Sequence, residues 1–104
     1  MSDKRKYSQR KVIAMDVDGT LLVHGRLNHR LIDWIIKKAG EGFTCYLWSA
    51  RGEEYAKVFA DKHKITHLFT HIISKPGIAV DDMGWRWTRD VNTVIPKPKT
   101  AGKL

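Results

Sequence analysis

Two aspartates one residue apart, Asp16 and Asp18, follow a run of four apolar residues, Val12 to Met15, and lead into Gly19 and Thr20. The apolar run reads as a buried strand and Gly19 breaks the extended chain just beyond it, so both carboxylates are delivered at a strand end. Where the strand persists that far, side-chain alternation puts Asp16 and Asp18 on one side of it. Carboxylates that close repel each other unless a cation sits between them, and hard oxygen ligands suit Mg2+. The competing reading is punctuation, because Asp-Gly pairs form turns readily and Asp18-Gly19 would then carry no chemistry.

Three further landmarks follow in order: Ser49 at the end of a second apolar stretch, Lys75 in a loop, and the pair Asp81-Asp82 after a brief apolar run. With these in place the sequence resembles the haloacid dehalogenase-like superfamily of phosphohydrolases. The first motif of that superfamily is an apolar strand followed by Asp-x-Asp-Gly-Thr, which stands here as Asp16-Val17-Asp18-Gly19-Thr20. The resemblance implies that Asp16 attacks phosphorus to give an aspartyl-phosphate, dividing one difficult displacement into two easier ones. Asp18 would protonate the leaving oxygen and later take a proton from water, a double role that needs a raised pKa. The family pattern gives Mg2+ to the Asp16 carboxylate, the Asp18 backbone carbonyl and the late pair, with Asp81 as the favoured ligand and Asp82 in support. Ser49 would donate to a phosphoryl oxygen and Lys75 would balance the charge gathered there. Gly19, Thr20 and Ala50 would line the phosphate site, while Arg51 would either touch the substrate beyond the phosphate or cap the carbonyls of a neighbouring loop.

The intervening sequence must place these residues. Leu21 to Leu27 reads as a tight hairpin turning at His24-Gly25, a dipeptide that tolerates positive φ. Asn28 is a suitable N-cap for a helix carrying Leu31, Ile32, Trp34, Ile35, Ile36 and Ala39, with Lys37 and Lys38 in its last turn and Gly40 as its stop. Phe43 to Trp48 reads as a strand buried on both faces. Glu53 to His63 reads as a second helix, acidic at its start and basic at its end as the macrodipole prefers, with Tyr55, Ala56, Val58, Phe59 and Ala60 as the apolar face. Short strands are expected within Leu68 to Ile73 and over Ile78 to Val80. Met83 to Asp90 shows no helical period, and Thr93 to Ile95 could hold a residual strand before Pro96. Alternating strands and helices imply a Rossmann-like three-layer α/β/α fold with a mostly parallel sheet of four to five strands. Ligands in such sheets bind beyond the carboxyl ends of the strands, where Asp16, Asp18, Ser49 and Asp81 would converge.

At 104 residues the chain is one domain with no room for a cap inserted beside the first motif, so the site would be open. Of the net charge of +8, the stretch up to Lys11 carries +4 and the stretch from Pro96 onward +3, so Val12 to Ile95 is left with +1 and the basic character belongs to two expected tails, residues 1–10 and 96–104. Such tails would steer a polyanion by a salt-sensitive field. No apolar run could span a bilayer and no apolar segment follows the basic lead-in, so no membrane association and a cytoplasmic location are expected. The single Cys45 lies among apolar and aromatic neighbours and reads as a buried thiol. His63, His67 and His71 straddle a helix end and a strand, so their regular spacing does not gather them. Trp85 and Trp87 read as core or interface packing, the alternative being an aromatic wall near the leaving group.

Three functions compete. The first is a capless Mg2+-dependent phosphatase acting on a phosphorylated substrate, either bulky, such as a nucleic-acid end or phosphoprotein, or small and enclosed by a second copy in a homo-oligomer. The second is a phosphorylatable receiver-type signalling domain, which would place its acidic pair early and its phosphorylated aspartate on a later strand; the order here is the reverse. The third is a non-catalytic phosphoryl-binding domain of similar fold.

Overall fold

The computed structural model describes residues 10–92, so the basic tails beyond Arg10 and the expected strand over Thr93 to Ile95 lie outside the described residues. Three strands, β1 (Val12–Asp16), β4 (Thr44–Ser49) and β5 (His71–Ser74), form a parallel sheet in the order β1-β4-β5. Between β1 and β4 lie a hairpin, β2 (Leu22–Val23) with β3 (Arg26–Leu27), and helix α1 (His29–Gly40). Helix α2 (Glu53–Lys62) and a 3-10 turn, Thr66–Leu68, join β4 to β5. The hairpin turns where expected, with φ of 51° at His24 and 73° at Gly25, the pair of positive values that a two-residue turn matched to strand twist demands.

Each strand is added on the same side of the one before it, and right-handed crossovers that advance in one direction lay their helices on one face. Burial agrees with this. Ile13, Met15, Cys45, Leu47 and Ile72 share one face by register, and they join Leu31, Ile32 and Ile35 of α1 and Ala56, Phe59 and Ala60 of α2 in a single core. The opposite face presents Val12, Ala14, Tyr46, Trp48, His71 and Ile73, all exposed or half-buried. β4 therefore alternates between buried and half-buried positions instead of being buried on both faces.

Two layers, not three, are thus formed by the described residues, with three parallel strands where four to five were expected. The cause is local to Ile78 to Val80: the run forms no strand, and Ile78 and Val80 are 86% and 97% exposed. A strand on the far side of β1 would reverse the direction of sheet growth and bring cover to the second face. Three residues between Gly77 and Asp81 bury too little apolar surface to hold such a strand without that cover. The chain instead continues to a 3-10 run, Gly84–Asp90, in which Trp85 is 78% and Trp87 36% exposed, so neither tryptophan packs in the core.

The helix ends show which local signals the fold uses. Asn28 Oδ1 accepts the Leu31 N–H at 3.3 Å, as an N-cap should. Gly40 lies inside α1, and the chain reverses at Gly42, whose φ of 92° suits a glycine. α2 begins after Gly52, which has no side chain to cap it; Ser74 of β5 supplies the acceptor, taking the Glu53 N–H at 2.9 Å. Val58, expected on the buried face of α2, is 60% exposed, and Ile36 of α1 is 52% exposed. Among the described residues no helix is long and apolar enough to cross a membrane.

Candidate active site at the carboxyl end of the sheet

β1 ends at Asp16, and the two residues after it decide where the carboxylates point. Val17 is fully buried, so Asp16 and Asp18 on either side of it face outward although the strand has stopped. A compact turn locks this arrangement: the Thr20 and Leu22 amides both donate to the Val17 carbonyl, at 3.1 and 2.9 Å, and the Gly19 amide donates to the Leu22 carbonyl at 2.9 Å. Gly19 holds φ at 79°, which a side chain would strain. Gly19 and Thr20, expected to line a phosphate site, thus have their amides taken up in the turn, while the Thr20 hydroxyl lies 3.5 Å from Asp16 Oδ2 as a donor.

Asp16 sits on the open face of the sheet beside Trp48, its register partner on β4. Lys75 approaches from the loop after β5. Its amide donates to the Ser49 carbonyl at 2.9 Å, and its Nζ lies 3.8 Å from Asp16 Oδ1 and 5.8 Å from the centre of the Trp48 ring. The expected pairing of Lys75 with Asp16 is therefore present in the geometry. Both side chains remain reachable, at 42% and 31% exposure.

Ser49, at 2% exposure, is the one polar residue that is buried among the described residues. Its Oγ accepts the Arg51 N–H at 3.0 Å, and its carbonyl accepts the amides of Gly52 and Lys75. Ser49 thus ties together the loops that carry Arg51 and Lys75, leaving its O–H proton as the group a phosphoryl oxygen could use. Ala50 stands exposed beside it.

Asp18 is gripped from two sides. The Tyr55 hydroxyl donates to Asp18 Oδ1 at 2.8 Å, and Arg51 Nη1 lies 3.7 Å from Asp18 Oδ2. The Arg51 guanidinium stacks 3.9 Å from the centre of the Tyr55 ring. The Arg51 guanidinium thus lies beside Asp18 and Tyr55, a placement that neither of its two expected roles named. Tyr55 itself was legible only as part of the apolar face of α2. The signal for more was its place in the first turn of a helix that starts beside Ser49, at the same sheet end as the aspartates. Donation to Asp18 raises the Tyr55 phenol above its ordinary value of 10.0, with partial burial adding to the effect.

The late pair does not join this group. Asp81 and Asp82 are exposed, and Asp81 Oδ1 accepts the Met83 N–H at 2.8 Å to shape the entry to the 3-10 run. Among the described residues no set of three or more His, Cys, Asp or Glu side chains is gathered closely enough to hold a metal ion. The expected four-aspartate set is therefore not assembled, because the strand that should carry Asp81 and Asp82 to the sheet is not formed. The histidines are also separate: His63 packs against Phe59 at 4.8 Å between ring centres, His71 meets Tyr46 edge-on at 5.0 Å, and His67 lies in the 3-10 turn.

Mg2+ places modest demands on such a site. It retains several waters and is commonly held by one or two carboxylates together with phosphate oxygens of the substrate. At the end of β1 the Asp16 carboxylate, 31% exposed, is one oxygen donor of this kind, and no larger ligand group is gathered beside it among the described residues. Compared with known protein families, curated proteins and solved structures, the chain matches none.

Proposed function

We propose that the chain hydrolyses phosphomonoesters in a Mg2+-dependent reaction that passes through an aspartyl-phosphate on Asp16. The observation that carries this reading is the approach of Lys75 Nζ to within 3.8 Å of Asp16 Oδ1 at an accessible sheet end. An accessible carboxylate beside a cation offers a nucleophile in a place where an incoming phosphoryl dianion is not simply repelled.

In the first step an Asp16 oxygen bonds to phosphorus as the bond to the leaving oxygen breaks, and Asp18 gives that oxygen a proton. In the second a water attacks the same phosphorus, Asp18 takes its proton, and the Asp16 carboxylate departs to leave inorganic phosphate. Lys75 balances charge in both steps, the Thr20 hydroxyl orients Asp16, and Arg51 with Tyr55 holds Asp18. Ser49 fixes the loops on either side and offers its hydroxyl to a phosphoryl oxygen. Bound at Asp16 and the Asp18 carbonyl, Mg2+ would neutralise charge on the phosphoryl group. Asp81 and Asp82 would add to its ligands only if the segment after Gly77 moved to the edge of β1.

A phosphoryl-binding domain without turnover is the second reading, and the outlying position of Asp81 and Asp82 is what favours it. Hydrolysis of para-nitrophenyl phosphate separates the two. Release of nitrophenol with Mg2+, abolished by EDTA and restored by added Mg2+, is expected; a purified chain that binds phosphate but releases no nitrophenol would establish the alternative.

A further inference from the structure

The contact between Tyr55 and Asp18 joins residues 37 apart in sequence, one on α2 and one just past the end of β1. Tyr55 is half-buried and packs against the edge of the core that Ala56, Phe59 and Ala60 of α2 help to fill. The hydroxyl nevertheless reaches Asp18 Oδ1 at 2.8 Å, while the ring lies 3.9 Å beneath the Arg51 guanidinium. One side chain therefore fixes two others, by a hydrogen bond and by stacking. The Arg51 side chain is itself 64% exposed and that of Asp18 46%, so without Tyr55 both would sample many rotamers.

We propose that Tyr55 is a positioning residue that holds the Asp18 carboxylate and the Arg51 guanidinium in one arrangement facing the leaving group. The inference rests on the phosphatase reading for its kinetic consequence, although not for its structural one. A proton donor placed about an ångström out of line loses much of its effect, so a fixed Asp18 contributes to the rate of the chemical step and little to ground-state binding. Stacking on Tyr55 would hold the plane of the Arg51 guanidinium, whose remaining N–H donors suit the oxygens of a phosphorylated substrate.

Two variants divide the roles. Tyr55→Phe keeps the ring and the stack but removes the hydroxyl; Tyr55→Leu removes both. With para-nitrophenyl phosphate, Tyr55→Phe is expected to lower kcat about tenfold with KM within about twofold, in line with loss of one hydrogen bond to a charged group. Tyr55→Leu should lower kcat at least as far and also raise KM. In parallel, 15N relaxation of the Arg51 Nε–H should report an ordered side chain in the wild type and in Tyr55→Phe, and a mobile one in Tyr55→Leu. Wild-type kcat in Tyr55→Phe, or an ordered Arg51 in Tyr55→Leu, would overturn the proposal. If the wild-type chain turns over no phosphomonoester, the phosphatase reading fails by itself. The NMR comparison then decides alone: a mobile Arg51 in Tyr55→Leu sustains the positioning role and an ordered one ends it.

Discussion

Lys75 Nζ stands 3.8 Å from Asp16 Oδ1, and the lysine is steered there by its own backbone, whose amide is bonded to the carbonyl of Ser49. The charge pair is thus fixed by the ends of all three parallel strands: β1 supplies Asp16, β4 supplies Ser49, and β5 leads into Lys75.

That origin predicts how Lys75→Met behaves. Both partners are more than a quarter exposed, and an ion pair so open to solvent contributes about 0–1 kcal/mol to stability. Denaturant midpoints should barely move, whereas kcat/KM for para-nitrophenyl phosphate should fall by about a hundredfold because a preorganised cation beside the phosphoryl group is lost. Parallel loss of fold and activity would instead mark Lys75 as structural.

Asp81 and Asp82 test whether the segment after Gly77 moves to the site during turnover. Should it do so, Asp81→Asn is expected to raise the Mg2+ concentration for half-maximal activity by about ten- to a hundredfold, and Asp82→Asn to raise it less. A magnesium titration of both variants that overlays the wild type would show that Asp16 and Asp18 hold the ion without them.

The glycines around the end of α1 give a contrast in stability. Gly40 lies within the helix, where an added methyl group would meet nothing within 4 Å, so Gly40→Ala should stabilise by about 0.5–1 kcal/mol. Gly42, at φ 92°, should lose about 1 kcal/mol or more as Gly42→Ala. Urea unfolding of the two variants checks the signs, and shifts in the same direction would contradict the turn geometry.

Cys45 is buried among core residues, and that burial pushes its thiol from 9.0 up to about 12. The folded value lies above the unfolded one, so the protonated thiol favours the folded chain below pH 9. As pH rises from there toward about 12, that contribution is lost, because the thiol ionises in the unfolded chain first. Cys45→Ala should flatten the stability profile across this window. Iodoacetamide at pH 8 should leave native Cys45 unmodified and alkylate it in urea; rapid alkylation of the native chain would show that the core is open there.

Much of this arrangement could be read from residue patterns. The apolar runs gave β1 and β4, Asn28 gave the start of α1, and His24-Gly25 gave the hairpin turn, because each depends on local conformational preference. Three features depended on distant partners and could not be read locally. Ser74 caps α2 across the sheet end, the Tyr55 hydroxyl reaches Asp18 beyond the core face its ring packs on, and Ile78 to Val80 lacks the cover a strand would need. The alternation of strands and helices put Asp16, Asp18 and Ser49 at the carboxyl end of one sheet, where the fold holds them; it also put Asp81 there, where the fold does not.

The identity of the nucleophile is open to direct measurement. Chain mixed with a phosphomonoester and Mg2+, quenched in acid within milliseconds and digested should yield one peptide carrying a phosphoryl group at Asp16, with Asp16→Asn both unlabelled and inactive. A label on another residue, or wild-type turnover by Asp16→Asn, would contradict the account.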